Sequence, residues 1–197
     1  MSRTEIIVPT RTLEISRRGL LGRAGQATLS AAAVAILAGC ESMADAKTAD
    51  AATTEGDVKI LNTALGAEHE AIAAYQVGAE SNLLQPDALK LAVMFQSQHK
   101  AHADVLSSTV TKLGGTPMAA KAKYDFPVDK LKNQTDVLRF AAGLEKGAVS
   151  AYLGAVPLFT NRDLAKAAAS ILGDEAMHWA VLRQVLGDVP VPDAFVA

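Results

Sequence analysis

One cysteine, one tryptophan and an aromatic content of 5% leave this chain of 197 residues poor in the groups that build disulfides and stacking surfaces. A single cysteine closes no intramolecular disulfide and leaves no Cys-x-x-Cys pair for redox or zinc chemistry. No glycine-rich nucleotide loop and no Ser-His-Asp arrangement is present. Positive charge is also scarce: the formal net charge is −2, and no Lys/Arg cluster recurs along a helical face, which argues against a nucleic-acid surface. What the chain does have is apolar residues, 50% of the total and rich in Ala, Leu and Val, with Pro and Gly mainly at the ends of periodic segments. That pattern favours helices over strands and predicts an all-α protein with one core.

The basic residues gather at the front. Five Arg (Arg3, Arg11, Arg17, Arg18, Arg23) and two Glu (Glu5, Glu14) precede Cys40, a local charge of +3 that leaves −5 for the rest. Ser16-Arg17-Arg18-Gly19-Leu20-Leu21 opens an Ala- and Gly-rich apolar run ending at Leu37-Ala38-Gly39-Cys40, and residues 1–39 resemble a twin-arginine export signal. A membrane-spanning helix is the competing reading, but it needs roughly 18 uninterrupted apolar residues, and Arg23, Gln26 and Ser30 break this run. Leu-Ala-Gly-Cys resembles the lipobox of bacterial lipoproteins, which implies lipid attachment at Cys40; the alternative is a small residue beside a cleavage site. The expected location is periplasmic, with membrane contact only through that lipid anchor. Residues 40–56 lack apolar periodicity and read as a flexible tether.

Four helical segments follow over 57–187, and 188–197 reads as a tail. Asp57 is the expected N-cap of the first, which carries Leu61, Leu65, Glu68, Ile72 and Tyr75 on one face. The second starts at Pro86, stops at Gly114-Gly115 and aligns Leu91, Phe95, His99, His102 and Leu106. The third spans about Gln134 to Val156 before Pro157 and aligns Leu138, Ala142, Glu145, Val149 and Tyr152. The fourth, capped near Asn161, aligns Leu164, Ile171, Glu175, His178 and Leu182. Short links join the first two and the last two, while about twenty residues, Gly114 to Asn133, separate the pairs. Short, long, short connections predict a four-helix bundle of two antiparallel hairpins joined by a crossover.

The two hairpins repeat each other. Leu-Gly-Ala-Glu68-His-Glu-Ala-Ile-Ala-Ala-Tyr75 parallels Ala-Gly-Leu-Glu145-Lys-Gly-Ala-Val-Ser-Ala-Tyr152, each Glu preceding a Tyr by seven residues. His99 and His102 lie 31 and 34 residues after Glu68, as Glu175 and His178 lie 30 and 33 after Glu145. Residues i and i+3 share a helical face, and the Leu, Phe and Ile neighbours of these pairs turn that face inward. Buried carboxylates are costly unless compensated. Three carboxylates and three imidazoles at one level therefore point to a bound divalent cation, with a hydrogen-bonded core histidine or an edge carboxylate as the plainer reading of any one position alone. Gln98, His69 and Glu70 sit off their stripes and suit solvated surface better.

With these residues in view, the chain resembles the ferritin-like superfamily, and more narrowly the ferritin-like domains of exported bacterial proteins. The resemblance implies a dinuclear iron or manganese centre held by Glu68, His102, Glu145, Glu175 and His178, with His99 beside them. Tyr75 and Tyr152 would stand next to the centre, or serve simply as core aromatics. The implied activities are ferrous-iron oxidation, peroxide reduction or oxygen activation, as in a ferroxidase or peroxidase acting in stress protection. One position departs from the family pattern. Where the second helix usually offers Glu-x-x-His, this chain has His99-x-x-His102, and a neutral imidazole has one lone pair where the carboxylate bridges with two oxygens. The departure leaves room for an uneven, mononuclear or vestigial centre, and for a non-enzymatic envelope protein acting through a partner. The Pro-containing tail leaves no room for a fifth helix, so a monomer or homodimer is expected rather than a cage.

Overall fold

A computed structural model describes residues 51–196, and within them the architecture is entirely helical. Helix α1 spans Ala51–Glu80, α2 Pro86–Lys112, α3 Gln134–Ala155 and α4 Arg162–Val185, with 3-10 turns at Val128–Lys130 and Val156–Leu158. None of these helices is long and apolar enough to cross a membrane. The signal-like segment, its arginine pair and Cys40 lie outside the described residues.

Helix α1 begins earlier than the sequence pattern indicates. Residues 51–56, expected as the end of a tether, form its first turns, and Asp57 is not its N-cap. Asp57 is instead buried, and its carboxylate accepts hydrogen bonds from the backbone of Thr160 and Asn161 at 2.9 and 3.0 Å and from the Thr160 hydroxyl at 3.1 Å. The side chain that looked like a local cap is a long-range tie to the turn before α4. Asn161 caps α4 by accepting from the Asp163 and Leu164 amides, and Asn133 caps α3 through the Asp136 amide. Helix α2 opens with Pro86 and closes with Gly114 at φ +81°, a left-handed conformation that glycine adopts without steric cost.

The crossover from Gly114 to Asn133 runs the length of the bundle. It leaves α2 beside Val58, which lies against Gly115, and is pinned to α1 by Asn62, which donates to the Thr116 carbonyl at 3.0 Å and accepts from the Met118 amide at 2.7 Å. It ends where Gln134 Oε1 accepts from the Gln85 amide at the opposite end.

Two apolar layers fill the interior. One packs Leu61, Leu65, Leu106, Val110, Leu164 and Ile171; the other packs Ala92, Phe95, Leu138, Ala142 and Leu182. Between them lies a polar layer of Glu68, His99, Glu145, Glu175 and His178, all buried. Water is thus kept away from this layer above and below by hydrocarbon.

Candidate metal centre

Each helix contributes to the polar layer at the register its apolar stripe dictates. Leu61 and Leu65 turn Glu68 inward on α1; Phe95 and Leu106 bracket His99 and His102 on α2; Leu138 and Val149 bracket Glu145 on α3; Ile171 and Leu182 bracket Glu175 and His178 on α4. All six residues singled out from the sequence converge. Glu68, His99, His102 and Glu175 offer ligand atoms within 4.8 Å of one another, and so do His99, Glu145, Glu175 and His178. The two groups share His99 and Glu175.

The hairpins brace each other's carboxylates. The Tyr152 hydroxyl donates to Glu68 Oε1 at 2.6 Å, and the Tyr75 hydroxyl donates to Glu145 Oε1. Both tyrosines are buried, so their place beside the ligand set is a structural fact. The His99 ring lies between the same two carboxylates, its Nδ1 donating to Glu68 Oε2 at 2.8 Å and its Nε2 lying 3.3 Å from Glu145 Oε1. The His178 ring is fixed by stacking on Phe95 with centroids 4.0 Å apart.

Five buried polar atoms nevertheless have no hydrogen-bond partner: His102 Nδ1, His178 Nδ1, Glu145 Oε2 and both oxygens of Glu175. They are close without being aligned. His102 Nδ1 is 3.1 Å from Glu175 Oε1 and 3.6 Å from Glu68 Oε2, while His178 Nδ1 is 3.4 Å from Glu175 Oε2 and 3.6 Å from Glu145 Oε2. Unpaired buried polar atoms are rare because each costs its desolvation, about 1–3 kcal/mol and more when charged. Ligand atoms set tetrahedrally at about 2.1 Å from a cation lie about 3.4 Å from one another. The separations seen here fit that spacing, and a donor set of carboxylates and imidazoles suits iron or manganese. A divalent metal therefore fits the residues present.

Without a metal the layer balances its charge with protons. Burial opposes ionisation of Glu68, but the His102 and His99 imidazoles bring its carboxyl down to about 2. Glu145 is likewise burdened by burial and held well below the ordinary carboxylate range by His178 and His99. Glu175 is the exception, because burial outweighs its histidine neighbours and its pKa rises. Burial would depress the imidazoles, yet Glu145 and Glu68 hold His99 up at about 10, Asp174, Glu175 and Glu68 hold His102 at about 11, and Glu145 and Glu175 hold His178 at about 9. Desolvation and the neighbouring carboxylates push both tyrosines well above their ordinary value, so they remain donors. A metal entering this layer must displace protons.

Asp174 escapes a sequence reading aimed at inward stripes. Its Oδ2 lies 3.3 Å from His102 Nε2 and 3.4 Å from His178 Nε2, so one oxygen faces the outer nitrogen of both imidazoles whose Nδ1 atoms point into the layer. The His102 imidazole in turn lowers the Asp174 pKa. A carboxylate behind a ligating imidazole fixes its tautomer and ring orientation. The signal was available: Asp174 precedes His178 by four residues and therefore shares its side of α4. Gln98, read as solvated surface, is half-buried, with Oε1 2.9 Å from His178 Nε2. It acts on the layer from outside, since its own position is off the inward stripe. His69 lies 3.2 Å from the Met118 carbonyl, where the crossover docks, and Glu70 is exposed, so neither joins the cluster.

Paired carboxylate and imidazole groups in the midsection of a helical bundle are the arrangement from which bundle proteins build metal sites on facing helices. Residues 56–188 match the ferritin-like domain, and the chain belongs to that family. Among solved structures, a conserved hypothetical protein of Mycobacterium tuberculosis aligns with a TM-score of 0.63 and 26% identity over 73% of this chain and 99% of its own. A ferritin-like diiron-carboxylate protein of Bacillus anthracis aligns with a TM-score of 0.59 and 20% identity over 68% and 97% of the two chains. A dodecameric thioferritin of Bacteroides fragilis, a bacterioferritin-related protein, aligns with a TM-score of 0.59 and 23% identity over 80% and 93%. No functionally curated protein matches the chain.

Proposed function

We propose that this protein binds two iron or manganese ions in its polar layer and uses them to oxidise ferrous iron or to consume peroxide or oxygen, as a stress-protection protein of the cell envelope. The observation that carries the reading is the convergence of five unpartnered buried ligand atoms from α2, α3 and α4 on two overlapping groups. The Bacillus anthracis neighbour is described as a diiron-carboxylate protein, and the donor set here suits the same metal. Bound iron or manganese would supply a change between divalent and trivalent states.

The chain's own residues prepare the site for that change. Glu145 offers one carboxylate oxygen, the other being held by the Tyr75 hydroxyl; Glu68, held by Tyr152 at one oxygen and His99 at the other, offers Oε2 only once His99 lets go; and Glu175 offers both of its oxygens. His102 and His178 offer Nδ1, with Asp174 behind them at Nε2. The apolar layers exclude water and strengthen every charge interaction between them. Tyr75 and Tyr152 keep their protons and steady the carboxylates as the charge in the layer changes.

The envelope location is part of the same proposal and rests on Arg17-Arg18 and on Leu-Ala-Gly-Cys40. Export by the twin-arginine route would let the protein fold around its metal before crossing, and a lipid on Cys40 would hold it at the membrane. A monomer or homodimer is part of the same proposal. A second reading, a non-enzymatic envelope protein with a structural or mononuclear site, draws support from His99, whose two contacts with Glu68 and Glu145 already compensate part of the layer without metal.

Metal analysis of protein folded in cells, followed by anaerobic ferrous titration and exposure to oxygen or peroxide, tests the proposal. It expects about two metals per chain and ferric absorbance that forms faster than in buffer. Absence of oxidation by loaded protein refutes it. Growth with a labelled fatty acid tests the anchor, and an unlabelled protein refutes that part.

A further inference from the structure

The two ligand groups are alike in composition but not in readiness. In the group around Glu145, three buried atoms have no hydrogen-bond partner: Glu145 Oε2, Glu175 Oε2 and His178 Nδ1. In the group around Glu68, only Glu175 Oε1 and His102 Nδ1 are in that condition. Glu68 itself has both oxygens engaged, Oε1 by the Tyr152 hydroxyl at 2.6 Å and Oε2 by His99 Nδ1 at 2.8 Å.

His99 decides the difference. Its ring belongs to both groups, yet a neutral imidazole carries one N–H and one lone pair. Glu68 Oε2 can only accept, so the tight contact keeps the N–H on Nδ1. The opposite nitrogen, Nε2, has the looser contact of 3.3 Å, and the oxygen it faces, Glu145 Oε1, already accepts from Tyr75. When a metal displaces the proton from the ring, the lone pair therefore forms on Nε2, on the Glu145 side.

We infer that the two metal positions fill in order, the one formed by Glu145, Glu175, His178 and His99 Nε2 first and the one formed by Glu68, Glu175 and His102 second. The inference rests on the reading that these groups hold metal. The first position has four donors and no hydrogen bond to Glu68 to break. The second must either detach His99 from Glu68 or accept a poorer donor set. A carboxylate at position 99 would serve both positions at once, and the imidazole serves one.

The test uses the full chain, stripped by chelator and titrated anaerobically with Mn(II) and with Co(II). Calorimetry is expected to resolve one equivalent bound at least about tenfold more tightly than the next. Spin-echo spectroscopy of the first Mn(II) is expected to count two imidazole nitrogens, those of His99 and His178. His178→Ala is expected to remove the tight equivalent, His102→Ala to leave it and remove the weak one, and His99→Glu to bring the two affinities together. Two equal equivalents in the unaltered protein, a single nitrogen on the first Mn(II), or loss of the tight equivalent in His102→Ala overturns the inference. If His178→Ala does not fold, the nitrogen count on the unaltered protein still decides. Ordered binding without iron oxidation refutes the redox proposal and leaves this inference standing; failure to bind either metal refutes both.

Discussion

Helices α1 and α2 present Glu68, Tyr75, His99 and His102 where α3 and α4 present Glu145, Tyr152, Glu175 and His178, so the two hairpins differ in kind at one buried position. On α4 that position is a carboxylate whose two oxygens both lack hydrogen bonds; on α2 it is an imidazole engaged on both sides. A carboxylate in such a layer awaits a cation, whereas an imidazolium is one. Under the proposed function the α3–α4 hairpin supplies the demand for metal, while the imidazole of the α1–α2 hairpin already balances part of the layer's negative charge. The same backbone arrangement supports both roles because burial and register are equal, and only the sign of the charge that the side chain carries differs.

The most damaging break of that comparison is at Glu175. It is the carboxylate common to both ligand groups, so Glu175→Ala is expected to abolish metal retention at both positions, a loss well beyond the roughly hundredfold that removal of an outer hydrogen-bonding partner causes. Metal analysis after dialysis reads it. Its counterpart His99→Ala is expected to retain metal at His102 and His178 with reduced affinity. Equal losses in the two variants would erase the asymmetry between the hairpins.

The second effect is on stability and separates the metal-free from the loaded protein. His99, His102 and His178 have pKa values near 10, 11 and 9 in the folded chain, above about 6.5 when unfolded. Their stabilisation is complete below pH 6.5 and is lost as pH rises through those values. Glu68, lowered to about 2, contributes fully above about pH 4.5 and loses its contribution as pH falls toward 2. Metal-free protein is expected to melt highest between about pH 4.5 and 6.5 and on the order of 10 °C lower by pH 9. Loaded protein is expected to gain over the same rise, because its ligands must shed protons to bind. Parallel melting curves with and without chelator would contradict this account.

How much of this could be read from the chain follows from what periodicity encodes. The inward stripes placed Glu68, His99, His102, Glu145, Glu175 and His178 at one level, because a helix repeats every 3.6 residues whatever it later packs against. Connection lengths placed the hairpins. What periodicity does not encode is which atom of an inward side chain is free. The bond from His99 to Glu68, the crossed tyrosine contacts and the reach of Asp174 depend on distances between helices. The start of α1 is hidden from the sequence for a related reason: Asp57 has the chemistry of a local cap, and its partners, Thr160 and Asn161, are distant in sequence.

Asp174 offers a smaller and more diagnostic perturbation. One oxygen faces the outer nitrogens of both His102 and His178, so Asp174→Asn is expected to weaken both metal positions together, by about 10–100-fold. Calorimetric titration distinguishes this from a local effect. A change confined to one position would show that the oxygen serves one imidazole and that the hairpins are not coupled through it.

The smallest expected effect probes where the two halves remain alike. Tyr75 and Tyr152 each donate one buried hydrogen bond to the carboxylate of the opposite hairpin. Replacing either by Phe keeps the ring in its apolar layer and leaves one carboxylate oxygen without its donor, a cost of about 1–3 kcal/mol in the metal-free protein. The costs are expected to match within about 0.5 kcal/mol, since nothing in either partner's burial separates them. Metal content is expected to hold in both, because neither substitution removes a carboxylate or imidazole of the ligand groups. Denaturant unfolding of the two variants with chelator present measures the pair. A large excess for Tyr152→Phe would mean that Glu68, already held by His99, depends on its tyrosine more than Glu145 does, and the asymmetry would then extend from the ligands to the residues that hold them.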